Sequence, residues 1–414
     1  MRIGFIATRL HGTDGVTLEV EKWSKVLTNL GHEIFFCAGD LGGYAKNGTL
    51  IPELHFADQS VFALSQRAFG NNPDEDGDLL ADQIYSRADE IRAPLRSFIR
   101  SNRLNLIIVQ NALTIPMNLP LGVCLTGLIA ELGIDTIAHH HDFFWERQRY
   151  QTNAILDLLD TAFPAKLPSI QHVTINSIAK DRLKARRGIS SIVIPNVLDF
   201  ASPPPKKDNF NKDLRANLGL GRKDVLILQP TRVIQRKGIE MSIELVKRLE
   251  IPNAQLFISH RADDEGLSYW RWLIREASVM GVDLQLIDHL ISPQRGTING
   301  HKIYSLWDAY LSSDLVTYPS LYEGFGNALL ESIYVRKPII VNRYPVYNAD
   351  IKPLGFKFIE LDGFVNEQSV QDTKILMSSP EQIQQITENN FNLAKEYFSL
   401  GVLEVKLKDL LSNF

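Results

Sequence analysis

Short apolar runs alternate with longer stretches of helical periodicity from one end of the chain to the other. The short runs are rich in β-branched and aromatic residues, and this alternation is typical of parallel sheets with crossover helices. In the first half, the predicted strands are Arg2–Ala7, Glu33–Ala38, Leu104–Gln110, Asp135–His139, Val173–Ile175 and Ser191–Ile194. In the second half, they are Val225–Gln229, Gln255–Ser259, Leu284–Ile287, Leu315–Tyr318, Pro338–Asn342 and Lys357–Glu360. The pattern predicts an α/β protein with two doubly wound domains, each with its own sheet.

Helical periodicity and proline content divide the chain further. The clearest helix is predicted over Val16–Leu30, where apolar residues recur at spacings of three and four before Gly31. A proline-rich polar run over 202–209 supports neither a helix nor a central strand, so we interpret it as a linker. The predicted domains are therefore 1–200 and 201–385. Segment 386–414 is expected to form helices that cap the assembly or cross back to the first domain.

Composition excludes several classes of protein. With 48 acidic and 44 basic residues the net charge is -4, too balanced for a nucleic-acid-coating surface, so an anionic ligand requires a local site. The two cysteines, Cys37 and Cys124, form no Cys-x-x-Cys pair, which argues against disulfides and cysteine zinc sites. The N-terminus is interpreted as a strand, and the longest apolar region is too broken to span a bilayer. We expect a cytoplasmic protein.

The sharpest motif is the segment 318–331, YPSLYEGFGNALLE, which follows an apolar strand and opens a helix. Gly324 and Gly326 permit close backbone approach, and the first N–H groups of the helix can hold an anion or a polar ligand. Glu323 precedes the helix and Glu331 lies within it, where carboxylates accept paired hydrogen bonds from the vicinal hydroxyls of a sugar or ribose. The structural alternative is a glycine-bearing turn with solvated acids.

A second motif, QPTRVIQRKG over 229–238, also follows an apolar strand. Arg232 and Lys237, with Arg236 between them, can surround a diphosphate, because arginine offers a planar fork and lysine a mobile point charge. Fixed cations of this kind can stabilise a departing nucleoside diphosphate without a metal ion. The alternative is a charged surface loop.

Three consecutive histidines, His139, His140 and His141, end another predicted strand. Alternate side chains of a strand point to opposite faces, so a metal site is disfavoured and a polar site that faces a sugar is preferred. A neutral histidine here can donate to a sugar hydroxyl, with Asp142, Glu146 and Arg147 as orienting groups. The alternative is a strand end that happens to be rich in histidine.

Two further segments carry weaker signals. The loop over 8–16 contains Gly12 and Gly15 beside a helix N-terminus, which suits phosphate or acceptor binding, but it lacks the Gly-x-Gly-x-x-Gly dinucleotide fingerprint. The phosphate loop of nucleoside triphosphatases and the nucleophile elbow of hydrolases are missing from the sequence too. The basic run over 180–187 is interpreted as a solvated helix face, with contact to a membrane surface as the less favoured alternative.

Together these motifs resemble glycosyltransferase family 4, retaining enzymes with the two-domain GT-B fold. The resemblance covers most of the chain and is weakest over 40–92. It is carried by Glu323 within Pro-Ser-x-x-Glu-Gly-Phe-Gly and by Glu331, which follows after seven intervening residues. Further matches are Arg232, Lys237-Gly238 and the segments 31–33, 141–142, 194–199 and 337–341. The family often has two adjacent glycines in the first loop, where this chain has Asp14-Gly15.

The resemblance implies a role for each motif. Arg232 and Lys237 would hold the donor diphosphate, Glu323 the donor sugar and Glu331 the nucleotide ribose. His141 would face the donor sugar near the reacting carbon, with His140 as the fallback. The remaining implied contacts are Gly15, Gly324, Phe325, Gly326 and Asn327 for the donor, and Asp14, His140 and Asp142 for the acceptor.

These inferences predict a retaining glycosyltransferase. It would move a hexosyl unit from a UDP- or GDP-linked sugar to a hydroxyl of a small molecule or glycan in a cleft between the domains. Front-face displacement is expected, without cofactor or essential metal, and Lys237→Ala is expected to impair turnover while leaving the fold intact. The alternatives are a sugar phosphorylase or nucleotide-sugar epimerase of the same fold, or a non-catalytic sugar-nucleotide sensor. A Rossmann oxidoreductase ranks last.

Overall fold

The computed structural model describes residues 1–12, 14–70, 72, 74–262 and 266–414, and the chain forms two compact units. Unit 1 comprises Met1–Asn196 together with Leu403–Phe414, and unit 2 comprises Val197–Val402. The sequence analysis placed the first boundary at 200 and the second at 385. The units divide a few residues earlier at the first boundary and well after 385 at the second.

Unit 1 contains a seven-stranded parallel sheet in the order β3-β2-β1-β4-β5-β6-β7. Its strands are β1 Arg2–Ala7, β2 Glu33–Ala38, β3 Gly48–Leu50, β4 Leu106–Gln110, β5 Asp135–His140, β6 Ile170–Thr174 and β7 Ser191–Val193. Its helices are α1 Gly15–Asn29, α2 Gln59–Phe69, α3 Gly77–Ser101, α4 Leu119–Leu132, α5 Leu156–Ala162 and α6 Ser177–Arg187. The strand order reverses beside β1, where β1 pairs with both β2 and β4, and such a reversal opens a crevice at the carboxyl ends of the strands.

Unit 2 contains a six-stranded parallel sheet in the order β10-β9-β8-β14-β15-β16 and a separate sheet of β11, β13 and β12. Its strands are β8 Val225–Gln229, β9 Ala254–Ile258, β10 Asp283–Leu286, β11 Ile291–Ser292, β12 Gly296–Ile298, β13 His301–Ser305, β14 Leu315–Tyr318, β15 Ile339–Asn342 and β16 Ile359–Leu361. Its helices are α7 Leu214–Asn217, α8 Ile239–Leu249, α9 Ser268–Met280, α10 Leu306–Ser312, α11 Asn327–Tyr334, α12 Glu367–Met377, α13 Pro380–Tyr397 and the start of α14 Leu400–Leu411. The strand order reverses where β8 lies beside β14.

Burial explains why the apolar runs form central strands. All five residues of β4 are buried, as are all four of β14 and of β15, because helices cover both faces of a parallel sheet. Helix α1 begins where the Asp14 carboxylate accepts hydrogen bonds from the N–H groups of Val16 and Thr17. Its Trp23 side chain is fully buried against the sheet layer.

The predicted α/β architecture with two parallel sheets is confirmed, and each predicted strand is present with ends displaced by a few residues. The sequence analysis missed β3 and the small sheet over 291–305, whose strands are only two to five residues long. Among the described residues, every helix is too short or too polar to cross a bilayer.

Candidate active site

The donor motifs of the sequence analysis meet at the carboxyl ends of β8 and β14 in unit 2. The loop after β8 is joined to the loop after β14 by a hydrogen bond from the Leu321 N–H to the Arg236 carbonyl, at 2.8 Å. Gly238 adopts φ +58°, and a Cβ there would lie 2.5 Å from the Pro319 carbonyl oxygen. Only glycine allows this approach without a backbone shift, so Gly238 fixes the spacing of the two loops.

Glu323 is the centre of a buried charge cluster. Its Oε1 forms an ion pair with the Lys237 Nζ, and its Oε2 lies 3.2 Å from the Arg236 Nη1. Arg236 also donates to the Tyr322 carbonyl at 2.9 Å. Lys237 and Glu323 are each only 7% exposed, so the pair is largely removed from water. The structure thus brings Arg236 and Lys237 of the second motif into direct contact with Glu323 of the first.

The electrostatics keep this carboxylate ionised. Burial alone would raise the pKa of Glu323, but the charges of Lys237 and Arg236 outweigh it and lower the pKa to about 2. For Lys237, burial lowers the pKa, and the Glu323 charge partly opposes that effect. Arg232 lies in the same loop and is exposed.

Two buried tyrosines shape the loop that carries Glu323. The Tyr344 hydroxyl donates to the Phe325 carbonyl at 2.7 Å, and the Tyr318 ring centroid lies 5.6 Å from the Lys237 Nζ. Gly326 adopts φ +129°, and a Cβ there would lie 2.7 Å from the Tyr344 hydroxyl. The glycine therefore permits the turn that starts α11 at Asn327.

Glu331 lies on α11, and its side chain is oriented by a neighbouring helix. The Tyr310 hydroxyl of α10 donates to the Glu331 Oε2 at 2.8 Å, and Tyr310 is fully buried. Burial and the adjacent carboxylate both raise the pKa of Tyr310, so its hydroxyl keeps its proton and remains a donor.

Two buried amides support this site, and the sequence analysis missed both. Gln229 donates to the Lys237 carbonyl at 3.0 Å and accepts from the Ser242 hydroxyl at 2.7 Å. Asn342 donates to the Ser320 carbonyl at 3.0 Å. Each amide is the polar last residue of an apolar strand, β8 or β15, and that pattern is the signal that could have revealed them.

The three histidines at the end of β5 occupy different environments. His139 is fully buried, and its ring stacks on Trp23 with centroids 4.4 Å apart. His140 is 1% exposed, with Nδ1 2.6 Å from the Thr114 hydroxyl and Nε2 2.9 Å from the His172 Nδ1. The structure therefore argues against His140 as a donor or acceptor contact, because both ring nitrogens are already paired in the core.

His141 is the half-buried member of the three. Its backbone N–H donates to the Asn111 Oδ1 at 3.1 Å, and its Nε2 lies 3.2 Å from the Gln110 Oε1. Burial lowers the pKa of His141 to about 4, although Asp142 and Asp14 act in the opposite direction. The imidazole is therefore neutral at physiological pH.

The predicted acceptor contacts Asp14 and Asp142 both have local structural partners. The Asp14 Oδ2 accepts from the Arg9 guanidinium at 3.1 Å while its Oδ1 caps α1, whose first residue is the exposed Gly15. Asp142 accepts from the Asn111 amide at 3.2 Å and from the Arg147 Nε at 2.6 Å. Their contact with an acceptor stays a prediction. Thr13 of the same loop lies outside the described residues.

Comparison with known proteins identifies the family of the chain. Residues 210–392 match the family described as glycosyl transferases group 1. The mannosylglucosylglycerate synthase of Petrotoga mobilis is 31% identical over 97% of this chain and 99% of that protein. The synthase of the same name from Thermotoga maritima is 32% identical, over 100% of this chain and 99% of that protein.

Among solved structures, Anabaena HepE in complex with UDP and glucose matches with a TM-score of 0.68 at 13% identity, over 100% of both chains. That likeness shows the fold. The full-length relatives, together with the family match over most of unit 2, confirm glycosyl transfer from a nucleotide sugar as the reaction class. The chain belongs to the group 1 glycosyl transferases.

Proposed function

We propose that this chain transfers a mannosyl unit from a UDP- or GDP-linked mannose to a hydroxyl of glucosylglycerate, giving mannosylglucosylglycerate. The names of the two full-length relatives support this product, and their similarity extends over both units. We further propose that the enzyme is a retaining member of family 4 and needs no metal ion. The observation that carries the chemistry is the buried cluster of Lys237, Arg236 and Glu323.

The charge of this cluster suits a diphosphate leaving group. Lys237 and Arg236 carry two positive charges against the single negative charge of Glu323, and Arg232 in the same loop adds a third cation. Fixed cations that meet developing negative charge stabilise a transition state without reorganisation. They would therefore supply the charge that a divalent ion supplies in other transferases.

The state of Glu323 supports the proposal of retention. A carboxylate with a pKa of about 2, bound by two cations, is a weak base and a weak nucleophile. We infer that the leaving phosphate oxygen, and not a carboxylate, takes the proton of the acceptor hydroxyl on the same face of the sugar. Glu323 would orient the sugar, Glu331 the ribose, and neutral His141 would contact a sugar hydroxyl.

Product analysis tests the proposal. Purified full-length enzyme is incubated with UDP-mannose or GDP-mannose and with glucosylglycerate, and glucose and glycerate serve as separate control acceptors. Proton NMR of the first-formed product should show an α-mannosyl linkage from the α-linked donor, at a rate that EDTA leaves unchanged. A β-linked product, or activity abolished by EDTA and restored by manganese, would contradict retention without metal. Absence of turnover with every donor and acceptor would favour a sugar-nucleotide sensor.

A further inference from the structure

The segments that follow β1, β2 and β3 bring a small group of side chains together in unit 1. We refer to these residues as the Arg9 cluster: Arg9 and His11 after β1, Asp40 after β2, and His55 and Phe56 after β3. A Cβ on Gly39 would lie 2.1 Å from the His55 backbone nitrogen, so glycine allows the ends of β2 and β3 to approach. The cluster thus lies at the carboxyl edge of the sheet, where α/β proteins bind ligands.

Arg9 has more hydrogen-bond donors than the protein uses. Its Nη2 donates to the Asp14 Oδ2 at 3.1 Å, and this is its single hydrogen bond to any residue that the structure describes. Its Nε is buried without a partner among those residues. The guanidinium carbon lies 5.3 Å from the centroid of the Phe56 ring, which supports one face of the group. A guanidinium has five N–H donors, and this side chain is 37% exposed, so donors remain for a ligand.

The acids near Arg9 have other partners. Asp14 accepts two further hydrogen bonds from N–H groups in the first turn of α1. Burial would raise the pKa of Asp40, but a hydrogen bond from the His11 ring and the charges around it lower that pKa. Burial lowers the pKa of His55, and the charge of Arg9 lowers it further, so this ring is neutral at physiological pH. Arg9 is therefore the permanent positive charge of the cluster.

The Arg9 cluster lies near the segment that carries His141. Asp14, the partner of Arg9, acts electrostatically on the His141 ring. In the sheet, only β4 separates β1 from β5, so the ends of these two strands lie two strand spacings apart, roughly 10 Å. An acceptor built from a hexose and a three-carbon acid can extend over that distance. Its acid end can then reach Arg9 while its hexose lies closer to the end of β5.

We propose that Arg9 binds the carboxylate of the acceptor and thereby selects glucosylglycerate over neutral acceptors of the same size. This inference rests on the proposed transfer to glucosylglycerate. The carboxylate of glycerate is ionised at neutral pH and matches the planar fork of a guanidinium. Asp14 is then a positioning residue for Arg9. It does not contact the acceptor carboxylate, because two ionised carboxylates repel each other.

The first test compares two acceptors in the wild-type full-length chain. Glucosylglycerol has a hydroxymethyl group where glucosylglycerate has its carboxylate. Each is titrated by calorimetry with UDP or GDP present, so that the donor site is occupied and no transfer occurs. Glucosylglycerate should bind roughly 10- to 100-fold more tightly, the difference expected for charge-assisted hydrogen bonds.

The second test measures catalysis in two variants. Arg9→Met removes the charge, and it should lower kcat/KM for glucosylglycerate roughly 10- to 100-fold. The same variant should retain the wild-type kcat/KM for glucosylglycerol and the wild-type KM for the donor, because neither depends on the acceptor carboxylate. Arg9→Lys keeps the charge without the planar fork and should give an intermediate loss with glucosylglycerate.

Arg2 provides a matched control at the opposite end of β1. Its side chain is 36% exposed and forms an ion pair with Glu33, and its guanidinium carbon lies 4.7 Å from the centroid of the Phe35 ring. Arg2 thus has the exposure, the acidic partner and the aromatic contact of Arg9, but it lies at the amino end of the strand. Arg2→Met should leave the kinetics with both acceptors unchanged.

Several results would overturn the inference. They are equal affinity of wild type for the two acceptors, an unchanged kcat/KM for glucosylglycerate in Arg9→Met, equal losses with both acceptors in that variant, or the same loss in Arg2→Met. If glucosylglycerate binds through Arg9 but receives no mannose from either donor, the proposed function fails and the carboxylate site stands. If wild type and Arg9→Met transfer mannose to glucosylglycerate equally well, the proposed function stands and the carboxylate site fails. If wild type binds neither acceptor, both fail.

Discussion

Lys237 and Glu323 carry opposite charges in the interior of unit 2, and neither side chain is well solvated. A buried ion is tolerated when a partner of opposite charge and additional hydrogen bonds replace its hydration. The Gln229 amide holds the backbone of Lys237, and Arg236 supplies the second contact to Glu323. The lysine is therefore part of the packed structure of the site. The sequence analysis expected Lys237→Ala to leave the fold intact, whereas the buried ion pair predicts that the substitution lowers the stability of the fold.

We expect Lys237→Ala to lower the free energy of unfolding by about 3 kcal/mol, because Glu323 is left as a buried carboxylate short of one partner. The double variant Lys237→Met/Glu323→Gln, which removes both charges, should recover most of that loss and remain inactive. Because the folded pKa of Glu323 is depressed to about 2, its contribution is present above the unfolded pKa and is lost only as the pH falls toward 2. Urea unfolding at pH 7 and at about pH 3 measures both effects, because the contribution of Glu323 is lost only below its unfolded pKa. A Lys237→Ala variant as stable as wild type would contradict the pairing.

At the scale of elements, β5 and β6 are joined by a buried histidine pair as well as by backbone hydrogen bonds. The His140 Nε2 lies 2.9 Å from the His172 Nδ1, so one ring donates and the other accepts. Burial lowers the pKa of both histidines, that of His172 to about 4. Two charged imidazoles at this distance would repel each other in the core. The pair therefore requires neutral rings.

The stability of unit 1 should consequently fall as the pH falls from about 6.5 toward 4, because the unfolded state binds protons in that window and the folded state does not. Each such histidine changes the free energy of unfolding by at most about 1.4 kcal/mol per pH unit. In His172→Gln the glutamine can still form one hydrogen bond to His140. The substitution should make the free energy of unfolding depend less steeply on pH, by about 1.4 kcal/mol per pH unit at most. Urea unfolding of wild type and His172→Gln over this pH range tests the prediction. His289, whose side chain is exposed, provides the control substitution His289→Gln. An unchanged slope in His172→Gln would argue against the buried neutral pair.

At the scale of the whole molecule, the chain leaves unit 1 after Asn196 and returns to it after Val402. The returning part of α14 buries Leu403, Leu407 and Leu410 almost completely. Lys406 of the same helix donates to the Val193 carbonyl at the end of β7, at 3.2 Å. The last helix of the chain thus completes the unit that contains the first strand.

Leu407→Ala should therefore destabilise unit 1 by roughly 2 to 5 kcal/mol, because it removes a fully buried side chain and leaves a cavity. Val405, 59% exposed on the same helix, provides the matched control, and Val405→Ala should change stability by less than about 0.5 kcal/mol. Hydrogen exchange should become faster in β7 of unit 1 and stay unchanged in β8 of unit 2. Faster exchange in β8 alone would show that this part of α14 belongs to unit 2 and not to unit 1.

Much of the fold is readable from the sequence because parallel strands buried on both faces require continuous apolar runs. The loops after β8 and β14 were predictable as well, since polar residues and glycines interrupt those runs at fixed places. Strands as short as β3 and β11 contain too few residues to show periodicity. The predicted strands therefore describe the two main sheets and omit the small one.

The sequence by itself determined the two parallel sheets, the reaction class and the residues that ought to bind a donor. Only the tertiary structure decided which of them have partners. Glu323 meets Lys237 across 86 positions of chain, and His141 meets Gln110 across 31. Such pairings depend on strand order and loop approach, which local periodicity does not encode. The charge of Glu323 and the core role of His140 both follow from such long-range contacts.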